Sequence, residues 1–225
     1  MHVLVGSEAR SGGRQSNIAP LYKDEHDGCS LLHGRFRNSH LLSQLSHQQQ
    51  FAWLHRFYLL MDRIAGQHKV YKLHGSPHGF LVSAAVADPD PHHPATLLRF
   101  ALHLHQAAQK VALPGGQLLD LAMALASGPA SSGLLGRLSL TYQVVGHCQD
   151  VALELVQTQQ EVPLAIAGST AQLLSPEVLH GLVRLGSVQL RCCPPGEQTA
   201  VYSLPRYGGL PLTRLAPAAQ TDSNA

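Results

Sequence analysis

The chain has 225 residues, room for one domain of about 150–200 residues with tails. Apolar residues make up 44% and charged residues 13%, a balance that supports a packed core and excludes a chain disordered over most of its length. The formal charge is +2 with no dense Lys/Arg run, so nothing points to nucleic acid, and the 15 histidines make the chain clearly basic only below about pH 6.5.

In chain order, residues 1–22 read as a flexible tail, Gly/Ser/Arg-rich and aperiodic, with a weak strand signal at 1–5. A domain follows over residues 23–206, and 207–225 reads as a second flexible tail, rich in Pro and Ala. Residues 29–36 predict a first strand. Residues 41–64 predict a helix, with Leu42, Leu45, Phe51, Leu54, Phe57, Tyr58 and Met61 recurring mostly at threes and fours and Gly66 as its stop. Residues 69–74 and 80–86, separated by Gly75-Ser76-Pro77-His78-Gly79, predict a hairpin. A loop rich in Asp and Pro (88–94) precedes a helix over 95–111, stopped by Pro114-Gly115-Gly116.

Residues 118–126 predict a strand that ends in a small-residue turn, Ser127-Gly128-Pro129-Ala130-Ser131-Ser132-Gly133-Leu134-Leu135-Gly136. A β-rich segment (138–145) follows, and Gly146 opens a helix. Then come a short strand at 162–167, a helical region at 170–185 split by Pro176, and closing strands at 188–193 and 199–204. Paired strands with helices on the sheet give an α+β fold of ferredoxin-like type, a mixed, mainly antiparallel sheet.

The four cysteines, Cys29, Cys148, Cys192 and Cys193, form no metal-binding pattern, and adjacent Cys192-Cys193 is poor geometry for a mutual disulfide, so reduced thiols are expected. No apolar run approaches the roughly 18–20 residues of a membrane helix, and no signal peptide opens the chain. The expected location is cytoplasmic, with room for tethering to the inner membrane face through a segment outside this chain.

The stretch 123–155, with glycine-punctuated turns about one strand apart, resembles the core of the class III adenylate/guanylate cyclase catalytic domain. There a strand ends in a T-G-P turn, and a hairpin strand delivers F-G-D-x-V-N-x-A-x-R. The resemblance covers about residues 27–204. Residues 51–72 (FAWLHRFYLLMDRIAGQHKVYK) are similar to the family's first long helix and following strand, and 126–136 to its T-G-P segment.

In that family two aspartates bind two metal ions that activate the ribose 3′-oxygen and hold the triphosphate. The resemblance puts Gly34 (or His33) at the first aspartate and Ser76-Pro77-His78 at the second, with Asp27 too early to substitute. It places His74 and His147, or Cys148 one position on, where base-selecting residues stand. It aligns Asp150 and Glu154 with a transition-state Asn and Arg on one helical face. Negative charge there repels a triphosphate that an arginine would stabilise. A degenerate member is therefore expected, with no catalytic residues, no bound metal and no cofactor, and with His74, His78, His147 and Cys148 converging on the former cleft.

Plainer readings stand beside these. His92, His93, His103 and His105 read as a polar or solvated face rather than a metal site, since residues two apart on a helix do not face each other. Asp150 and Glu154 read as a solvated, dipole-favoured helix start. Trp53, Phe57 and Tyr58 read as core or dimer packing. The expected function is an inactive cyclase-like dimerisation or regulatory signalling module, paired as a homodimer or heterodimer through the cyclase-type interface with an unidentified signalling partner. No nucleic-acid binding or membrane insertion by this chain is expected. The alternatives are a nucleotide- or small-ligand-binding pseudoenzyme, or a divergent adenylate/guanylate cyclase active only with a partner domain.

Overall fold

The computed structural model describes residues 23–158 and 162–205; the strand signal at 1–5 and the tails expected at 1–22 and 207–225 lie outside the described residues. The elements are β1 (Lys23–Phe36), α1 (His47–His68), β2 (Tyr71–Ser76), β3 (Gly79–Ala84), α2 (His93–Ala108), β4 (Leu121–Leu135), β5 (Thr141–Val145), α3 (His147–Thr158), β6 (Leu164–Ala167), α4 (Gly168–Ala171), α5 (Pro176–His180), β7 (Val183–Gln189) and β8 (Gln198–Ser203). The strands form one sheet in the order β2-β3-β1-β4-β6-β8-β7, with β5 paired to the far half of β4. Every pairing is antiparallel except β4 with β6. This is the expected α+β architecture.

Strand alternation sorts side chains to two faces. Leu32, Phe36, Val82, Leu121, Met123, Leu125, Leu164 and Ile166 pack with Phe57, Met61, Leu97, Phe100 and Leu104 of α1 and α2. The opposite face presents Leu31, Leu81, Ala122, Ala124, Ala126, Ala165 and Ala167 to Cys148, Val151, Ala152 and Leu155 of α3. Each large buried side chain on the first face stabilises the fold by about 1.5–3 kcal/mol. The alanines on the second face contribute less individually, but their small size lets α3 lie close to the sheet. Trp53 and Phe57 stack at 5.8 Å, and Phe36 meets Phe57 edge-on at 4.8 Å, so this aromatic group belongs to the first core.

Several boundaries depart from expectation. The helix expected at 41–64 begins later. Residues Ser39–Gln44 form a 3-10 turn, and α1 starts at a capping box in which the Ser46 hydroxyl accepts from Gln49 N (3.4 Å) and the Gln49 side chain accepts from Ser46 N (3.0 Å). It runs through Gly66 and stops at Lys69, which takes a left-handed conformation (φ 55°). The turn expected at 127–136 is instead strand, because β4 continues to Leu135 and the chain reverses after it. The helical region expected to reach 185 ends at His180. Residues Val183–Gln189 form β7, which begins earlier and ends sooner than the strand expected at 188–193.

Candidate functional site

A cleft of about 530 Å³ lies on the α3 face of the sheet, walled by β1, β2 and β3 on one side and by Leu153, Val156 and Gln157 of α3 on the other. Leu81 of β3 is in register with His33 of β1 and with His74 of β2, so the three share one row across the strands. The β2 register shifts between Lys72 and His74, which brings His74 onto that row. Arg35, two residues after His33, lies on the same side, and His78 sits at the tip of the β2–β3 turn.

The hairpin tip is held firmly. The Tyr58 hydroxyl accepts from Ser76 N (2.9 Å) and lies within donating distance of Ser76 O (2.7 Å) and Gly79 O (2.8 Å). Burial first, against a lowering contribution from its contact with Ser76, pushes the Tyr58 phenol up to about 12. The Ser76 hydroxyl accepts from His78 N and Gly79 N (both 3.2 Å) and donates to Gly79 O (3.1 Å). It is occupied by the turn itself.

His33 is held away from its ordinary pKa. Its Nε2 is buried without a hydrogen-bond partner, and burial, then the neighbouring His74 charge, pulls its pKa down to about 4. Position 34 faces the other way, since a Cβ there would run into the Phe80 ring. Of the two residues aligned with a first aspartate, His33 is therefore the one whose side chain reaches the cleft.

Only part of the expected constellation assembles here. His74 and His78 line the cleft; His147 and Cys148 do not. His147 is exposed at the start of α3, with Nε2 3.7 Å from Cys193 Sγ. Cys148 is buried, its Sγ 3.8 Å from Gly128 O and 3.7 Å from Pro129 O. Asp150 is exposed and lines a second hollow of about 460 Å³ with Gly136, Thr141, Gln143 and Gln149.

Glu154 corrects the reading of a solvated helix-start pair. It is 8% exposed, and its carboxylate accepts from Arg191 N (2.8 Å), Cys192 N (3.0 Å) and Arg191 Nε (3.0 Å). Burial alone would raise its pKa, but the N–H donors of Arg191 and Cys192 outweigh that and hold it at about 2. This carboxylate fastens α3 to the segment after β7.

The other histidines disperse. His93 Nδ1 is 2.7 Å from Ser30 Oγ, His103 meets His68 at 3.2 Å, and His105 meets Gln109 at 3.0 Å. Ser30, Ser127 and Thr170 extend the first contact into a buried hydroxyl chain, at 2.6 and 2.9 Å. Sequence reasoning did not single out Arg35, Leu153, Val156 or Gln157. Strand alternation from Leu31 through His33 to Arg35 was the available signal for the first.

Residues 21–205 match the family described as the adenylate and guanylate cyclase catalytic domain. The chain belongs to this family. Over 106 residues it is 31% identical to adenylate cyclases of Mycobacterium bovis and Mycobacterium tuberculosis, covering 47% of this chain and 24% of theirs, so it spans about a quarter of those relatives' length. Among solved structures, the guanylate cyclase domain of RhGC from Catenaria anguillulae in complex with GTP shares the fold at a TM-score of 0.69 and 22% identity, covering 80% of this chain and 96% of that one. The non-canonical dimeric guanylyl cyclase domain from Blastocladiella emersonii gives 0.67 and 20% over 80% and 97%. The adenylyl cyclase CyaB from P. aeruginosa gives 0.66 and 13% over 81% and 95%.

The metal pair implied by the cyclase family does not fit this cleft. No carboxylate lines it, Ser76 Oγ is committed to its turn, and the remaining polar side chains are His33, Arg35, His74, His78 and Gln157. Imidazole and guanidinium are poor partners for Mg²⁺, which demands oxygen ligands. Among the described residues, no group of three or more His, Cys, Asp or Glu side chains could hold a metal ion.

Proposed function

We propose that this cyclase-type domain is catalytically silent and serves as a dimerising or regulatory signalling module. The single observation that carries the reading is the cleft lining: His33, Arg35, His74 and His78 stand without a carboxylate where two-metal chemistry needs anionic oxygen. Support comes from α3, where Glu154 stands in place of a cationic phosphate clamp and is spent on the 191–192 backbone, and Asp150 puts a negative charge where a neutral Asn would stand. The partner is a second cyclase-type domain, the same chain or another, meeting the α3 face of the sheet. Among the described residues no helix is long and apolar enough to cross a membrane. Sedimentation over a wide concentration range tests the module: self-association or pairing with a second cyclase domain is expected, and a strict monomer that pairs with neither would sink it.

A second reading, a domain that still holds a small ligand, is favoured by the unpartnered His33 Nε2 beside a cleft of about 530 Å³. Thermal shift with ATP, GTP and cyclic nucleotides separates the two, since ligand at 100 times Kd stabilises by about 2.7 kcal/mol. A flat response to all of them removes this reading.

A further inference from the structure

Two buried thiols meet under the first turn of α3, outside the cleft. Cys29 of β1 is opposite Gly128 of β4 in the strand register, and its Sγ is 3.5 Å from Gly128 O. Cys148 of α3 approaches the same glycine from above: its Cβ is 3.5 Å from where a Gly128 Cβ would stand, and its Sγ is 3.8 Å from the same carbonyl oxygen. Residues opposite each other in an antiparallel pair hold their Cβ atoms about 4.5–5.5 Å apart. Cys148 therefore sits beside Cys29, with both sulfurs turned to one oxygen. Gly128 leaves the two thiols in direct reach of each other, with no side chain of its own between sheet and helix. Both cysteines are free thiols.

We propose that Cys29 and Cys148 form a reversible redox pair, bridged by peroxide, that clamps the start of α3 to β1. The Cys148 thiolate attacks one peroxide oxygen; the O–O bond breaks, hydroxide leaves, and Cys148 becomes a sulfenic acid. The Cys29 thiol then attacks that sulfur and its proton leaves with the displaced hydroxyl as one water, while the proton that Cys148 gave up on becoming a thiolate turns the released hydroxide into the other. The thiols lose two electrons and two protons, and one peroxide becomes two waters. Cys148 is suited to the first step. Its pKa is lowered by the hydrogen bond from Cys29 and by backbone N–H groups at the helix start, while Cys29 is raised by its Cys148 contact and by burial. Cys148 is also the more accessible of the two, at 4% exposure against 0%.

The bridge would act on the cleft through α3, whose later residues Leu153 and Val156 form its wall. The other thiols provide an internal control: Cys193 lies beside His147 at the same helix start, and Cys192 sits where its backbone N–H meets Glu154 further along α3.

The test treats the full native chain with hydrogen peroxide, alkylates remaining thiols in denaturant, and maps cross-linked peptides without reduction. The expected result is loss of two of the four free thiols and one linked pair containing Cys29 and Cys148, reversed by dithiothreitol. Amide exchange along α3 is expected to slow several-fold in the oxidised protein. Cys192→Ser should leave both results unchanged. Four thiols still titrating, a bridge through Cys192 or Cys193, oxidation stopping at sulfinic acid on Cys148, or unchanged exchange in α3 would each overturn the proposal. The mapping uses the unaltered chain and does not depend on any variant folding.

Discussion

Replacing Glu154 with glutamine tests the assignment that separates this domain's α3 from a phosphate-binding helix. The carboxylate accepts two backbone N–H groups, at 2.8 and 3.0 Å, and is 8% exposed. Glutamine keeps the shape but turns an NH₂ group toward one of these donors, leaving a buried N–H unsatisfied. Hydrogen bonds to a charged group contribute about 1.5–3 kcal/mol, and an orphaned buried donor costs about 1–3. The Arg191 guanidinium adds little, because that side chain is 88% exposed and screened. A loss of about 2–3 kcal/mol follows, or roughly 5–10 °C in Tm for a domain of this size.

The pH dependence supplies an independent check. The Glu154 pKa falls from 4.5 to about 2 on folding, so its contribution is complete above 4.5 and is lost as pH falls through 2. Thermal melts of wild type and Glu154→Gln, followed by circular dichroism, should differ by a constant amount above pH 4.5 and converge below it. A Tm change under about 1 °C, or a gap that does not narrow on acidification, would show that the carboxylate is free and that its role as a fastener is wrong.

Two further outcomes follow from the cleft. His33 is half-buried and neutral when folded, with its Nε2 enclosed and a pKa of about 4 against an ordinary 6.5; its stabilising contribution is present above 6.5 and lost as pH falls toward 4. That amounts to about 3–3.5 kcal/mol over the window at about 1.4 kcal/mol per unit, and His33→Gln should flatten the decline of Tm across it, whereas an unchanged slope would refute the enclosure of the ring. Gly79→Ala should lower stability by about 3 kcal/mol or more in a urea melt, because the new Cβ would strike the Gly34 carbonyl across the β1–β3 pair; a neutral change would mean the strands are not so close.

The sheet and its main helices were legible because their signals are local. The 69–86 hairpin, the apolar stripe through Leu97, Phe100 and Leu104, and the Gly146 opening of α3 all survive in the structure. The failures arose where distant partners override local chemistry. Ser127-Gly128-Pro129 reads as a turn, yet β4 continues because the register of β1 shifts between His26 and Cys29, setting Asp27 and Gly28 opposite Pro129, which has no N–H to pair. Residues 183–185 lose their helical reading to pairing with β8, which no local pattern announces. In the site, hairpin and strand alternation place His33, His74 and His78 together, but nothing in α3's own residues shows that Glu154 turns toward Arg191 and Cys192, 37 and 38 positions away.

The most direct test of the central claim is turnover. The purified full chain, at concentrations where it is associated, is incubated with ATP or GTP and Mg²⁺ or Mn²⁺, and cyclic nucleotide is quantified by mass spectrometry against a heat-inactivated control. A domain whose cleft presents His33, Arg35, His74 and His78 but no carboxylate should form no cyclic product above that control. Sustained formation of cyclic AMP or cyclic GMP, proportional to protein and to time, would contradict the assignment and make this domain a working cyclase.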